Sequence, residues 1–313
     1  MRAVFTHTLV ELAERDPRVV LLTGDLGYTV LEPFAERFPD RFINAGVAEQ
    51  NMVGIATGLA EAGFIPFVYS IVPFAVLRPF EFIRNGPIAH HLPVRVVGVG
   101  GGFEYSTNGI SHYGLEDVGL MRTQPGMTVL TPADPNQARA TIMATWDRPG
   151  PIYYRLGKDD KAAVPGLHGR FSFGKCEIIG DGQDVLLVAM GAAAGEAVVA
   201  CEMLRERGVH GAVLVVSTMN PAPTADLVSW LSRYQVAVTV EAHYVTGGLG
   251  SLVAETVAEQ GIACRVVRCG VRQQPDGVSG SFAYMRERYG LSPRAIAQAT
   301  SEALVFSRRR AAV

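Results

Sequence analysis

Cysteine is scarce in this chain: four in 313 residues, at Cys176, Cys201, Cys264 and Cys269, with no CxxC pair. That excludes a zinc ribbon and a disulfide framework, and it fits a reducing cytoplasm. Charge is scarce too, at 19% of residues, and nearly balanced at 28 basic against 30 acidic side chains. No basic excess exists to grip a phosphate backbone, which argues against nucleic-acid partners. A membrane-spanning run is missing as well. The most apolar stretch, 185–204, is interrupted by Gly191, Gly195 and Glu196 and reads as a buried strand followed by a helix. The first residues carry acidic groups at helical spacing and no apolar segment ahead of a cleavage site, so they read as a helix and not as a signal peptide. There is no low-complexity tract and no short internal repeat. With 48% apolar residues the chain is too hydrophobic for disorder. Its length suits roughly two domains.

What is present is alternation. Apolar runs rich in valine and isoleucine recur between segments of helical period, and many of the 34 glycines follow those runs, where α/β proteins place tight turns. The pattern predicts strands over 19–23, 41–44, 65–69, 94–99, 128–131 and 152–155, with helices over 5–15, 49–62, 74–84 and 136–146. Short runs buried on both faces suit a parallel sheet covered by helices. Residues 1–156 are therefore expected to form one doubly wound domain. The polar segment 157–173 lacks any period and reads as a linker. A second alternation follows, with strands over 185–189, 213–216, 236–241 and 263–268 and helices over 196–207, 225–234 and 251–259. The expected fold is α/β: two consecutive doubly wound domains with mainly parallel sheets, the second over 174–313.

Four segments carry residues able to do chemistry. In NAGVAEQNMVGIATGLA, which begins at Asn44, a strand ends, a glycine turn follows, and a helix opens with Glu49. Read locally, Glu49 is either a first-turn acid complementing the helix dipole or a carboxylate at the carboxyl end of a strand, where open α/β sheets bind ligands. TGDLGYT, from Thr23, is either a turn with a structural acid at Asp25 or a ligand loop. In PFVYSIVPFAVLRPFEFIRN, from Pro66, residues Ile71, Phe74 and Leu77 form an i, i+3 stripe that is ordinarily core. His112 lies in a loop rich in Ser, Thr, Asn and Gly, suited to an active-site rim, whereas His90 and His91 carry no motif. Two glycine motifs are weaker. Gly247-Gly-Leu-Gly-Ser is either an anion cradle at a helix start or a structural turn, and Gly180-Asp181-Gly182 reads as a hairpin turn.

Together with GGGFEYSTNGISHYGLEDVGLMRTQPGMTVLTPAD and VTVEAHYVTGGLGSLVAE, these segments resemble the pyrimidine-binding and C-terminal domains of transketolases and their relatives. Those thiamine-diphosphate enzymes include deoxyxylulose-phosphate synthase and the E1 β subunits of pyruvate dehydrogenase. The resemblance covers almost the whole chain. It implies that Glu49 hydrogen-bonds the ring nitrogen of the cofactor's aminopyrimidine, favouring the tautomer that removes the thiazolium proton. It implies further that Asp25 approaches the cofactor and that Thr29 faces substrate phosphate. By the same resemblance Ile71, Phe74 and Leu77 face the pyrimidine ring, His112 contacts substrate hydroxyls or phosphate, and Arg155 holds phosphate with its guanidinium. All three ring positions are usually aromatic in transketolases, and only Phe74 is so here, which implies a looser ring pocket. Ser111-His112-Tyr113 also departs from the usual Thr-His-Gln or Thr-His-His.

The resemblance also implies a deficit. The diphosphate-binding domain, with its metal aspartate and asparagine, has no counterpart in this sequence, since Gly180-Asp181-Gly182 is followed by no asparagine until Asn220. A separate N-terminal diphosphate-binding subunit is therefore expected in an α2β2 assembly, where it would hold the diphosphate of thiamine diphosphate with Mg2+ or another divalent cation. No metal is expected on this chain's own residues. The implied activity is cytoplasmic transfer of a two-carbon ketol unit from a ketose to an aldehyde acceptor. The alternatives are an E1 β-type subunit of a 2-oxoacid dehydrogenase, a specialised transketolase of sugar or secondary metabolism, and a regulatory or scaffolding subunit without turnover.

Overall fold

The least polar runs become the strands of two sheets. In chain order, α1 (Arg2–Arg15) leads into β1 (Val19–Thr23), α2 (Glu32–Arg37), β2 (Phe42–Asn44), α3 (Glu49–Glu61), β3 (Ile65–Ile71), α4 (Val72–Val76), α5 (Phe80–Ile83), β4 (Arg95–Val99), α6 (Asp117–Arg122), β5 (Thr128–Leu130), α7 (Pro135–Thr145) and β6 (Ile152–Leu156). Then follow β7 (Cys176–Ile179), β8 (Val185–Ala189), α8 (Ala193–Arg205), β9 (Gly211–Val216), β10 (Thr218–Asn220), α9 (Thr224–Leu231), β11 (Val236–Tyr244), α10 (Leu249–Glu259), β12 (Arg265–Val271), α11 (Phe282–Arg288) and α12 (Pro293–Ala311). The computed structural model describes residues 1–311, so residues 312 and 313 of the second expected domain lie outside the described residues.

The first sheet has the order β10-β5-β6-β4-β3-β1-β2 and is parallel except for β10. The second has the order β12-β11-β8-β9-β7 and is parallel except for β7. Strands β1, β4, β6 and β8 are buried at every position, as sheets covered by helices on both faces require. Side chains alternate between the faces. Val19 and Leu21 of β1 pack with Phe5, Leu9 and Leu12 of α1, while Val20 and Leu22 pack with Met52, Val53 and Ala56 of α3.

Several details differ from the sequence reading. Strand β10 lies beyond residue 174 yet joins the first sheet, where Thr218 pairs antiparallel with Leu130. Residues 157–173 contain no helix or strand, but Val164 and Leu167 are buried in the core of the second domain. The helix expected over 74–84 is broken into α4 and α5, with Pro79 starting the second piece because it has no N–H to continue the first. Gly180-Asp181-Gly182 is not a hairpin turn: it links β7 to β8, which do not pair, since β9 lies between them.

In the first sheet β1 lies between β2 and β3, so the chain reverses its direction of travel across the sheet there. In doubly wound sheets, ligands bind outside the carboxyl ends of the strands at such a switch point. Asp25 follows β1, Glu49 opens the helix after β2, and Ile71 ends β3. Three of the residues singled out by sequence therefore meet at one sheet end.

Candidate active site

Glu49 is the first residue of α3, and its side chain is only 1% exposed. This decides against a solvated first-turn acid. Its Oε2 accepts a hydrogen bond of 2.6 Å from Nη1 of Arg78, which is 38% exposed. The other oxygen, Oε1, has no hydrogen-bond partner among the described residues. Gly24 forms the floor beneath it: a Cβ there would lie 3.5 Å from Oε1 and 3.2 Å from the carbonyl oxygen of Gly46. The carboxylate has one oxygen left over, its partner Arg78 stands 5.0 Å from the centre of the Phe74 ring, and Ile71, Phe74 and Leu77 are all half-buried. That arrangement fits the polar edge and flat face of an aminopyrimidine.

Asp25 is exposed and in the left-handed region at φ 58°. Its backbone N–H donates to Asn44 Oδ1 at 3.0 Å, and its Oδ1 accepts from Asn44 Nδ2 at 3.1 Å and from the Tyr28 hydroxyl at 2.8 Å. These bonds, with Asn44 first, hold its carboxyl below the usual carboxylate range. Thr29, also left-handed at φ 64°, is exposed, and its N–H donates to Glu32 Oε1 at 2.6 Å. The loop thus presents Asp25 and Thr29 to solvent on the same sheet edge as Glu49.

The His112 ring meets Phe74 edge-on at 5.1 Å between centroids, and Ser111 Oγ lies 3.0 Å from its Nδ1. Tyr105 lies 6.4 Å from the imidazole, and the ammonium of Lys158 stands 4.5 Å over the Tyr105 ring. A continuous rim therefore runs from Glu49 through Arg78, Phe74, His112 and Tyr105 to Lys158. Sequence reasoning assigns no role to Arg78 or Lys158. The signal at each is local, a cation near a strand or helix end, and it does not identify the partner.

Arg155 has structural partners that the resemblance does not imply. Its guanidinium is 6% exposed and donates from Nε to Asp117 Oδ2 at 2.8 Å, and from Nη2 to Asp117 Oδ1 at 3.2 Å and to the carbonyls of Gly114 at 2.8 Å and Ala242 at 2.9 Å. Tyr153 donates to the same Asp117 Oδ2 at 2.6 Å. Burial pulls the Arg155 pKa down most, but the charge and hydrogen bonds of Asp117, with Tyr153 and Glu104, together outweigh it and the net direction is up. These bonds fasten two domains through Nε and Nη2, while Nη1 has no hydrogen-bond partner among the described residues and Arg155 lines a cavity with Gly101, Gly157 and Gly191, so an anion could reach it without displacing Asp117.

The seam around that pair is dense. Tyr244 N–H donates to the Leu115 carbonyl at 2.7 Å, Gly119 N–H donates to His243 Nε2 at 3.2 Å, and Arg122 reaches the carbonyls of Gly247 and Gly248. Glycine is required here, because a Cβ at Gly247 would lie 3.1 Å from Gly119 Cα. His243 accepts at Nε2 and its Nδ1 lies 2.6 Å from the Tyr244 carbonyl, so the ring is neutral with Nδ1 protonated; burial brings its pKa down to about 4. The start of α10 already has its anion: Glu241 accepts from the N–H groups of Leu249 at 2.7 Å and Gly250 at 2.8 Å. Burial raises Glu241 to about 7 despite those bonds. The Gly247 motif is accordingly a structural turn and not a ligand cradle.

Three negative observations bound the chemistry. All four cysteines are free, and burial raises every thiol, Cys176 to about 12 and Cys264 and Cys269 to about 11, which makes them poor nucleophiles. Among the described residues, no group of three or more His, Cys, Asp or Glu side chains could hold a metal ion, and no helix is long and apolar enough to cross a membrane.

Residues 1–161 match the family profile of the transketolase pyrimidine-binding domain, and residues 174–296 match that of the transketolase C-terminal domain. The chain belongs to the transketolase family. A protein of Clostridium sp. (strain MSTE9), named 6-deoxy-6-sulfo-D-fructose transketolase subunit SqwH, is 35% identical over 305 residues, covering 96% of this chain and 94% of that one. A protein of Phocaeicola vulgatus, named as an apulose-4-phosphate transketolase subunit, is 34% identical over 306 residues, covering 96% of each. A solved structure described as a split gene transketolase, inactive beta4 tetramer, superposes with a TM-score of 0.86 at 36% identity over 97% of both chains. This transketolase-family chain thus carries the pyrimidine-binding and C-terminal domains, and it matches proteins named as subunits along nearly their whole length.

Proposed function

We propose that this chain supplies the pyrimidine-binding half of a thiamine-diphosphate-dependent ketol transferase, and that a second chain supplies the diphosphate site and its divalent metal. The observation that carries the reading is the Glu49 carboxylate: buried, anchored through one oxygen to an Arg78 that stands over Phe74, and unbonded at the other oxygen. When bound, the cofactor supplies the electron sink for carbon–carbon cleavage. The chain's own residues orient and move protons. Glu49 hydrogen-bonds the pyrimidine ring nitrogen, Asp25 lines the cofactor side of the same sheet end, and His112, held against Phe74, contacts the substrate hydroxyls. We assign the substrate's anionic group to the cations Lys158, on the His112 side of the rim, and Arg155, whose Nη1 is unbonded and which lines a cavity, with Thr29 on the opposite side.

The need for a partner is supported by the mouth of the site, where Tyr28 and Val47 are each 70% exposed and Ile110 is 47% exposed. Apolar side chains of this size ringing a polar centre favour an interface. The names of the relatives support it as well, since two are subunits and the solved split-gene chain is described as an inactive beta4 tetramer. An α2β2 assembly in the cytoplasm, with Mg2+ on the partner, is the arrangement proposed. The aliphatic Ile71 and Leu77 favour a specialised substrate over the common sugar phosphates, and those two relatives are named for unusual sugars.

The test is reconstitution. The purified chain alone and the chain with its co-purifying diphosphate-binding subunit are each given thiamine diphosphate, Mg2+, a phosphorylated ketose and an aldehyde acceptor. Ketol transfer by the pair only is expected. Turnover of pyruvate by the pair would instead favour the 2-oxoacid dehydrogenase reading, and ketol transfer by the lone chain would overturn the proposal.

A further inference from the structure

Glu49 is the residue on which the functional reading turns, yet its one strong partner in the chain is a residue to which no role has been assigned. Arg78 sits in the break between α4 and α5, next to Pro79, and donates from Nη1 to Glu49 Oε2 at 2.6 Å. The same guanidinium lies 5.0 Å from the centre of the Phe74 ring, and Phe74 in turn meets His112. The carboxylate is therefore gripped on one oxygen by Arg78, has the Gly24 and Gly46 backbone beneath it, and leaves Oε1 free.

A glutamate has three rotatable side-chain bonds, and an unanchored one would spread over several rotamers. A charge-assisted bond to one oxygen removes most of that freedom before any ligand arrives, which is the condition for a well-aimed second oxygen. The guanidinium also offsets the negative charge that remains on Glu49 when the shared proton resides on the ring nitrogen, where Coulomb attraction at this separation is strong. We propose that Arg78 is a positioning residue of the cofactor half-site, aiming Glu49 Oε1 at the aminopyrimidine ring by holding Oε2. The inference rests on the reading of Glu49 given above.

A cycle of R78Q, E49Q and the double variant tests it, each chain assembled with the diphosphate-binding subunit. Thiamine diphosphate affinity is measured with Mg2+ by quenching of protein fluorescence, and the near-ultraviolet circular dichroism of the bound ring is recorded alongside. R78Q is expected to weaken binding about ten- to a hundredfold, the scale of a hydrogen bond to a charged group. In the E49Q background the same change should cost less than about threefold, because the interaction it removes is already gone. R78K, which keeps a charge but not the planar fork, should fall between. Equal losses from R78Q with and without E49Q would mean that Arg78 merely packs on Phe74, and unchanged affinity in R78Q would deny it any role; either result overturns the proposal alone. If the wild-type assembly binds no thiamine diphosphate, the reading of Glu49 falls and the proposal falls with it.

Discussion

Two of the carboxylate–arginine pairs in the first domain are built in opposite ways. Asp117 and Arg155 are 1% and 6% exposed, and further bonds from Tyr153 and to the Gly114 and Ala242 carbonyls surround the pair. Glu49 and Arg78 are joined by one 2.6 Å bond, with Arg78 38% exposed and Glu49 Oε1 unbonded. The first pair takes part in five hydrogen bonds and locks the domains together, with Arg155 Nη1 alone left unbonded on a cavity. The second keeps capacity in reserve at a sheet end where ligands bind. A buried ion pair is thus a poor guide to function until its bonds are counted one by one.

The sharpest way to break this contrast is to remove one partner from the Asp117–Arg155 pair. D117A leaves the Arg155 guanidinium buried without a counter-charge, and the expected loss of stability is about 3–5 kcal/mol, read from the denaturant midpoint. A loss under about 1 kcal/mol would show that the seam does not depend on this pair. Amide exchange at Tyr244, whose N–H is bonded to Leu115 across the seam, should accelerate in the same variant.

The seam also predicts a pH dependence. His243 has an ordinary pKa of 6.5 and a folded value of about 4, so between those values the unfolded chain binds more protons. Its contribution is therefore intact above pH 6.5 and is lost as pH falls toward 4, by about 3 kcal/mol. Glu241 and Glu104, raised by burial from 4.5 to about 7, act in the opposite sense, and their contributions are lost as pH rises through that interval. The two glutamates outweigh the single histidine between pH 4.5 and 6.5, so H243N should steepen the fall of stability with rising pH there. An unchanged slope between pH 6.5 and 4 would contradict the placement of a neutral His243 in the seam.

A smaller effect is expected where the two regions join. The Tyr113 hydroxyl bonds the Ser106 carbonyl at 3.2 Å, and its ring packs edge-on against Phe103, which stacks on Tyr289 near the end of α11. This cluster props the loop that carries His112 from the second domain. Y113F should cost about 1 kcal/mol of stability and raise KM for substrate more than it lowers kcat. A fall in kcat with unchanged KM would place Tyr113 in the chemistry instead.

The sheets are legible in the sequence where burial is two-sided. Strands β1 and β8 run over the predicted 19–23 and 185–189, because continuous valine and leucine runs admit few other arrangements. Strand β10 is invisible at that level: Thr218, Met219 and Asn220 form no apolar run, and their pairing with β5 is a contact between distant parts of the chain. No element is predicted beyond residue 268, so α11 and α12 are additions from the structure. At the sheet end, the placement of Glu49 and Asp25 is legible because they lie next to the ends of strands, positions that a parallel sheet gathers at one edge, whereas Ile71 and Phe74 are picked out only by the family resemblance, their i, i+3 spacing reading as core. Arg78 and Arg155 are not legible in this way, since each is an arginine near an element's end and only its partners show what it does. Arg155 draws a functional role from the family resemblance, and the structure adds a bond to Asp117 that the sequence does not show.

One experiment bears on the whole contrast. E49Q and D117A are prepared in the chain assembled with its diphosphate-binding subunit, and turnover with thiamine diphosphate and Mg2+ is measured beside the unfolding midpoint of each. The account predicts that E49Q loses turnover by orders of magnitude while its stability stays within about 1 kcal/mol of wild type, the change expected where no buried partner is stranded. Near-normal turnover in E49Q would contradict it.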